Sequence, residues 1–309
     1  MDAVLDTLLT ARGGRWAAQA VAGAITFWCL GAVALRDVPV AVPSASGCAV
    51  PDARIWCAVM DRNGLVLAAA VVFGLLAVIV VSSVVAALVE PALTLIAGDG
   101  WPRRAGGGEF TQWRTSRQLR RRRRLESLLG SESSAASQLA WYPPNDDAMR
   151  PTRAGNAFAA LGRRIVHRHG LGLSTCWPLL EQALDDSTRA RVENASTRLA
   201  RRIQNLLWAV LALVWLPALP AWLALVVACT CVVLALLLWR GIAAAVEQYC
   251  VLVEAAVLAR RRSMYESVGW EPPRSTIEEP ARGRALTAYL NRLDRFDEQP
   301  LIWPVAADG

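Results

Sequence analysis

The sequence predicts an all-α fold, a four-helix transmembrane protein whose helices extend into a mostly helical cytoplasmic domain. Three observations predict it. Of 309 residues 54% are hydrophobic and the mean hydropathy is +0.31, with the apolar residues gathered in blocks rather than in periodic stripes, as bilayer-spanning helices require. The longest block, 203–239, is too long for one span and carries Pro217 and Pro220 in its middle. The arginines fall on one side of the membrane once the blocks are read as spans.

The first span is residues 16–35, an uncharged stretch flanked by Arg15 and Arg36. It is too long and too far from the start for a signal-peptide core, and no small-residue cleavage pattern follows it. The second is residues 65–89, in a block that stays apolar to Ala97. Since a bilayer core takes roughly 20 helical residues, this helix is expected to overshoot the membrane, with Glu90 emerging at the inner interface. Proline breaks helices and favours turns, so 203–239 reads as two short spans joined at Pro217 and Pro220. Residues 1–97 thus hold the N-terminal tail, two spans and an outer loop, 37–63. A basic linker, 98–140, leads to a helical block and stalk, 141–202; the hairpin 203–239 and a stalk helix with tail, 240–309, complete the chain.

Arginine asymmetry sets the orientation. The segment 98–202 holds 19 arginines and the tail after Trp239 nine, whereas the loop 37–63 holds only Arg54 and Arg62. By the positive-inside rule both termini are cytoplasmic. All 33 basic residues are arginine, which with abundant alanine suggests a high-GC bacterial genome and hence a bacterial plasma membrane. Cys48 and Cys57 lie together in the outer loop, where an oxidising space would let them close a disulfide contributing about 2–3 kcal/mol. Cys29, Cys229 and Cys231 sit within spans as packing residues.

The net charge of +7 suits nucleic acid and anionic lipid alike, and the run "RQLRRRRRLESLL" (117–129) concentrates it. Arg120, Arg121, Arg122, Arg123 and Arg124 are assigned to lipid headgroups and to marking sidedness, because a cytoplasmic cluster near a bilayer gains roughly 1 kcal/mol per arginine. Nucleic acid is disfavoured as a partner: a binding motif or aromatic platform normally accompanies such charge, and Trp113 is the one aromatic near the run. The stretch 130–138 reads as a linker.

In the block 141–184 a helix opens at Thr152 as N-cap, buries Phe158, Leu161 and Ile165, and ends at His169-Gly170. Its first turn breaks local rules, since Arg153 opposes the helix dipole and Gly155 and Asn156 are poor helix formers. Arg153 either pairs with Asp146 or Asp147 while Gly155 allows close packing, or it forms with Asn156 and Trp177 a site for an anion or a protein partner.

The string "YPPNDDAMRPTRAGNAFAA…HGLGLSTCWPLL" resembles a pattern in uncharacterised actinobacterial multi-pass membrane proteins, whose cytoplasmic segment carries Pro-Thr-Arg-x-Gly-Asn, then Tyr-Gly-Leu, then Trp-Pro. The matching positions are Pro151, Thr152, Arg153, Gly155, Asn156, Gly170, Leu171, Trp177 and Pro178. His169 stands where the pattern has tyrosine, and Ala154 replaces a larger apolar residue. The resemblance covers about a third of the chain. It implies a multi-pass membrane placement and no activity.

Beside the hairpin, Val192, Ala195, Leu199, Ile203 and Leu206 on the way in, and Ile242, Val246, Tyr249, Val253 and Val257 on the way out, are spaced three or four apart. They predict an antiparallel stalk that brings Glu247 and Glu254 within reach of Arg198 or Arg202. In the tail, Pro280 suits a first helical turn, and Leu286, Tyr289, Leu290 and Leu293 form the face of a short helix docked on the cytoplasmic block.

The sequence lacks the groups that most chemistry needs. His167, His169 and Cys176 want a fourth ligand for zinc, "GLSTC" is not a nucleophile elbow, there is no phosphate loop and there is no lysine. The acidic pairs Asp146-Asp147, Asp185-Asp186 and Glu278-Glu279 are explained by capping. No catalytic residue, metal or cofactor is expected. Thr26, Ser82, Ser83 and Thr230 are too few polar groups for a solute route. The expected function is a membrane anchor or scaffold presenting the helical domain to a cytoplasmic protein. The alternative is a homo-oligomeric membrane effector or channel gated by that domain.

Overall fold

The computed structural model describes residues 13–34, 64–99, 101 and 107–291; the outer loop with Cys48 and Cys57, and Leu293 in the tail, lie outside the described residues. Among these the fold is all-helical, with no strand. The helices are α1 (Gly13–Ala34), α2 (Gly64–Ala87), α3 (Val89–Ala97), α4 (Gly107–Ser127), α5 (Ser133–Leu139), α6 (Arg153–His169), α7 (Leu173–Ala183), α8 (Asp186–Leu211), α9 (Ala221–Ser267) and α10 (Glu279–Leu290). Short 3-10 turns occupy Asp146–Ala148 and Ala212–Ala218.

Three helices are long and apolar enough to cross a membrane: Val71–Ala97, Asp186–Ala218 and Ala221–Ser267. A shorter apolar stretch, Gly23–Ala34, lies in α1. The second span is not one smooth helix. A turn at Leu88 separates α2 from α3, because Pro91 has no N–H for the carbonyl of Ala87 and its ring crowds that carbonyl. Glu90, expected at the inner interface, is exposed in the first turn of α3. The hairpin turn falls where the prolines put it: α8 tightens into 3-10 geometry, Leu219 donates its N–H to the Leu216 carbonyl at 3.3 Å, and α9 starts after Pro220.

The described residues divide into two compact units, 13–34 and 64–91 with 200–241, and 92–99, 101 and 107–199 with 242–291. In the first unit a small core gathers Ala24, Val85 and Trp208, with Phe27, Trp28 and Leu211 packed on it. Two glycines make this possible. A Cβ on Gly23 or Gly31 would collide with the rings of Trp208 and Trp215 respectively, so α1 presents bare backbone to two indoles. Phe27 lies between them, its ring centroid 5.8 Å from Trp208 and 5.4 Å from Trp215. The outward side chains of this unit, among them Phe73, Ile79, Val80, Leu225 and Leu236, are apolar and exposed. Such a surface suits lipid and would be costly in water.

The second unit has a conventional core. Phe158, Leu161 and Ile165 of α6 are buried as their spacing predicts, and so are Val192, Ala195 and Leu199 of α8 and all five stripe residues of α9 from Ile242 to Val257. Leu286 anchors α10, which packs on α6 and α7. One expected linker is instead structured. Residues 133–139 form α5, because Ala135 fits without remaining exposure against Leu125, Tyr142 and Met149.

Candidate functional site

The candidate residues cluster about α6, and its rule-breaking first turn has a structural cause. Thr152 has extended backbone angles, φ −123° and ψ 155°, and its hydroxyl oxygen accepts the N–H of Gly155 at 3.0 Å, the expected N-cap bond. Gly155 faces the carbonyl of Ala97 at the end of α3, and any Cβ there would collide with it. Gly98, left-handed at φ 82°, packs against Pro151. Asn156 is 1% exposed and fully used: its Oδ1 accepts the Arg150 N–H at 2.7 Å while its Nδ2 donates to the Arg150 carbonyl at 3.2 Å. Arg150 in turn meets Asp99 at 2.6 Å. The end of α3 and the start of α6 are thereby joined through backbone and buried polar contacts.

Arg153 does not pair with Asp146 or Asp147. It forks onto Glu247 of α9, with Nη2 donating to Oε2 at 2.9 Å and Nε donating to Oε1. Glu254, expected with Glu247 to meet Arg198 or Arg202, instead takes Arg164 at 2.8 Å and Arg168 at 3.7 Å. Arg164 also donates to the Ala140 carbonyl and lies 5.7 Å over the Trp141 ring. Arginines of α6, not those of α8, hold α9 in this unit.

At the far end Gly170 takes the left-handed cap, φ 70°, donating its N–H to Val166. A Cβ on Gly283 would meet the His169 carbonyl, so α10 crosses this corner closely. His169 and Glu279, both buried, share a 2.8 Å contact, and Arg261 reaches the same carboxylate at 2.6 Å. The Thr287 hydroxyl accepts the Gly172 N–H at 2.9 Å and lies 3.7 Å from the Cys176 sulfur. Burial pushes the Cys176 thiol up, against the pull of its hydrogen bond to Thr287, which favours the thiol over the thiolate. Trp177 is buried in α7. Arg153, Asn156 and Trp177 therefore do not form one open site. His169 and Cys176 are occupied by α10, while His167 is exposed on the outer surface of α6.

What α6 does leave open is a cleft of about 1140 Å³. Phe158, Ala159 and Leu173 contribute apolar lining, Arg163, His167, Arg168 and Arg284 supply basic groups, and Asn145 and Asp147 stand at its edge. Val166, 48% exposed, also lines it. Sequence reading missed this cleft because its residues come from four segments; the one local signal was the polar-apolar mixture in "GRRIVHRH". Asp185, beside α7, is structural: its carboxyl is held well below the usual range by the hydroxyls of Ser187 and Thr188, the Thr188 N–H and Arg260, which together fix the start of α8.

No protein-family model, curated protein or solved structure matches the chain. The reading of the site rests on its own geometry.

The arginine run lies on α4 and divides in two. Arg122 pairs with Glu126 at 2.8 Å and Asp146 at 3.0 Å, and Arg123 reaches Asp146 at 3.5 Å. Arg120, Arg121 and Arg124 are exposed, and no ion pair engages them among the described residues. Trp113 is not alone either: Phe110 stacks with it, and Trp101 stacks with Phe110.

Proposed function

We propose that this chain is a four-span anchor of a bacterial plasma membrane, with both termini cytoplasmic, that presents its helical unit to a cytoplasmic protein. The observation that carries the reading is the cleft on α6. It combines an apolar lining with His167, Arg284 and two exposed arginines held only loosely, Arg163 at 3.5 Å from Asp147 and Arg168 at 3.7 Å from Glu254, so both can turn to a partner's carboxylates. That combination fits an acidic, amphipathic segment of a partner: apolar side chains fill the lining while carboxylates meet the guanidiniums. The arginine distribution supports the orientation, and the resemblance to actinobacterial multi-pass proteins is consistent with the source.

The test places a photo-crosslinking amino acid at Val166 in cells, with Leu129 as an exposed control. A discrete heterologous adduct at Val166 alone, lost on Arg163→Glu with Arg168→Glu, and an unchanged membrane potential would support the scaffold. Adducts only between copies of the chain, together with depolarisation on expression, would replace it with the oligomeric effector.

A further inference from the structure

The outward face of α4 gathers aromatic rings and arginines that meet no carboxylate among the described residues. With 3.6 residues per turn, Phe110, Trp113, Arg114, Arg117, Arg121 and Arg124 fall on one side of this helix, Arg120 at its margin. Phe110 stacks against Trp101 with centroids 5.4 Å apart and planes 11° from parallel, and against Trp113 at 5.8 Å and 28°. Arg114 lies 5.7 Å over Phe110 and 5.9 Å over Trp101, and Arg117 lies 6.0 Å over Trp113. Phe110 and Trp113 remain 52% and 51% exposed. The Trp101 indole donates to the Leu95 carbonyl at 2.7 Å, which ties the stack to the last turns of α3.

We propose that this face lies on the anionic headgroups of the membrane that α2 and α3 enter, with the three rings at the interface and the arginines on lipid phosphates. The inference is independent of the partner cleft. Three observations select lipid. The Trp101 indole is bonded to the carbonyl of Leu95, five residues past Glu90 and so roughly 8 Å along the helix from the expected inner interface, and indole rings collect in that headgroup layer. The arginines of this face meet no carboxylate among the described residues, whereas Arg122 and Arg123, turned away from it, both do. Phe110 stacks on both Trp101 and Trp113, and Arg114 and Arg117 lie against the rings, so the ring faces are partly occupied, where single-stranded nucleic acid stacks its bases on open ones. The lipid-facing set is thus Arg114, Arg117, Arg120, Arg121 and Arg124.

The full chain is placed in nanodiscs of phosphatidylcholine alone, and in discs containing about one third phosphatidylglycerol, and amide hydrogen exchange is followed by mass spectrometry. Peptides from α4 are expected to exchange roughly tenfold more slowly in the anionic discs, while those from α7 stay the same. About 0.5 M salt should erase most of the difference. Arg117→Gln with Arg120→Gln, Arg121→Gln and Arg124→Gln should erase it at low salt. Equal exchange of α4 in the two discs overturns the proposal, and that comparison needs no substitution. Protection of α4 in phosphatidylcholine discs by a single-stranded RNA oligonucleotide, matching or exceeding that by anionic lipid, also overturns it and assigns the face to nucleic acid.

Discussion

Helices α4 and α6 belong to the same unit and are both crowded with arginine, yet their guanidiniums are placed differently. On α6 every arginine has a carboxylate: Arg153 has Glu247, Arg163 has Asp147, and Arg164 and Arg168 share Glu254. On α4 only Arg122 and Arg123 do, and the other five arginines lie on aromatic rings or in solvent. The difference separates two uses of one residue type. An arginine paired across elements holds tertiary structure, since a bidentate fork fixes both distance and plane. An arginine left unpaired on a shared face contributes little to the fold and remains available to an external anion. If that division is right, changes on α6 cost stability, and changes on the outward face of α4 cost almost none.

The largest effect is expected at Gly155. Any side chain there meets the Ala97 carbonyl, a backbone atom that cannot turn aside, so Gly155→Leu should force α6 off α3 and destabilise the unit by about 3 kcal/mol or more. Thermal unfolding of the nanodisc-held chain, with exchange at α6 as the local readout, checks this. A melting temperature within a degree or two of the native chain would mean that α3 and α6 are not closely joined. Next comes Asn156→Ala. It leaves the N–H and the carbonyl of Arg150 without their buried partners, at a cost of about 2–3 kcal/mol, visible as faster exchange at residues 150–156. An unchanged rate would return Asn156 to the set of candidate ligand contacts.

Glu254→Gln comes third and addresses the comparison directly. Arg164 is only 20% exposed at its side chain, so loss of the shared carboxylate strands a half-buried guanidinium and should cost about 2 kcal/mol. Glu254→Gln combined with Arg164→Met restores charge balance and should recover part of that loss. Additive losses in the double variant would show that the two side chains act separately, and would weaken the claim that α6 holds α9 by charge.

The parts of this arrangement that were legible in the sequence are those set by nearby residues. Thr152 and Gly170 bound α6 because an N-cap hydroxyl and a left-handed glycine act within one turn. Pro217 and Pro220 mark the hairpin because a missing N–H is a local fact. The stripe from Ile242 to Val257 was readable because helical period alone decides which side chains turn inward. The pairings were not legible. Arg153 and Glu247 are 94 residues apart in the chain, and Arg164 and Glu254 are 90; which acid meets which arginine depends on how α6 sits beside α9. The same holds for Trp101, whose place on Phe110 depends on how the chain returns after α3. Helix α5 was missed for another reason. "SSAASQL" has the composition of a linker, and only the fit of Ala135 against Leu125 makes it a helix.

The smallest expected effect is also the one that isolates α4. Arg120, Arg121 and Arg124 are exposed and engage no carboxylate among the described residues, so Arg120→Gln, Arg121→Gln and Arg124→Gln together should change stability by less than about 0.5 kcal/mol. Removing three like charges from one helix face relieves mutual repulsion, which offsets the little that each exposed arginine contributes. Arg122→Gln is the matched control, since it abandons Asp146 and Glu126 while removing only one charge; it should cost more than the three others combined. Both are read as shifts in the melting temperature of the chain in uncharged discs, where anionic lipid contributes nothing. A triple variant less stable than Arg122→Gln would mean that the exposed arginines serve the fold after all, and the distinction between α4 and α6 would fail.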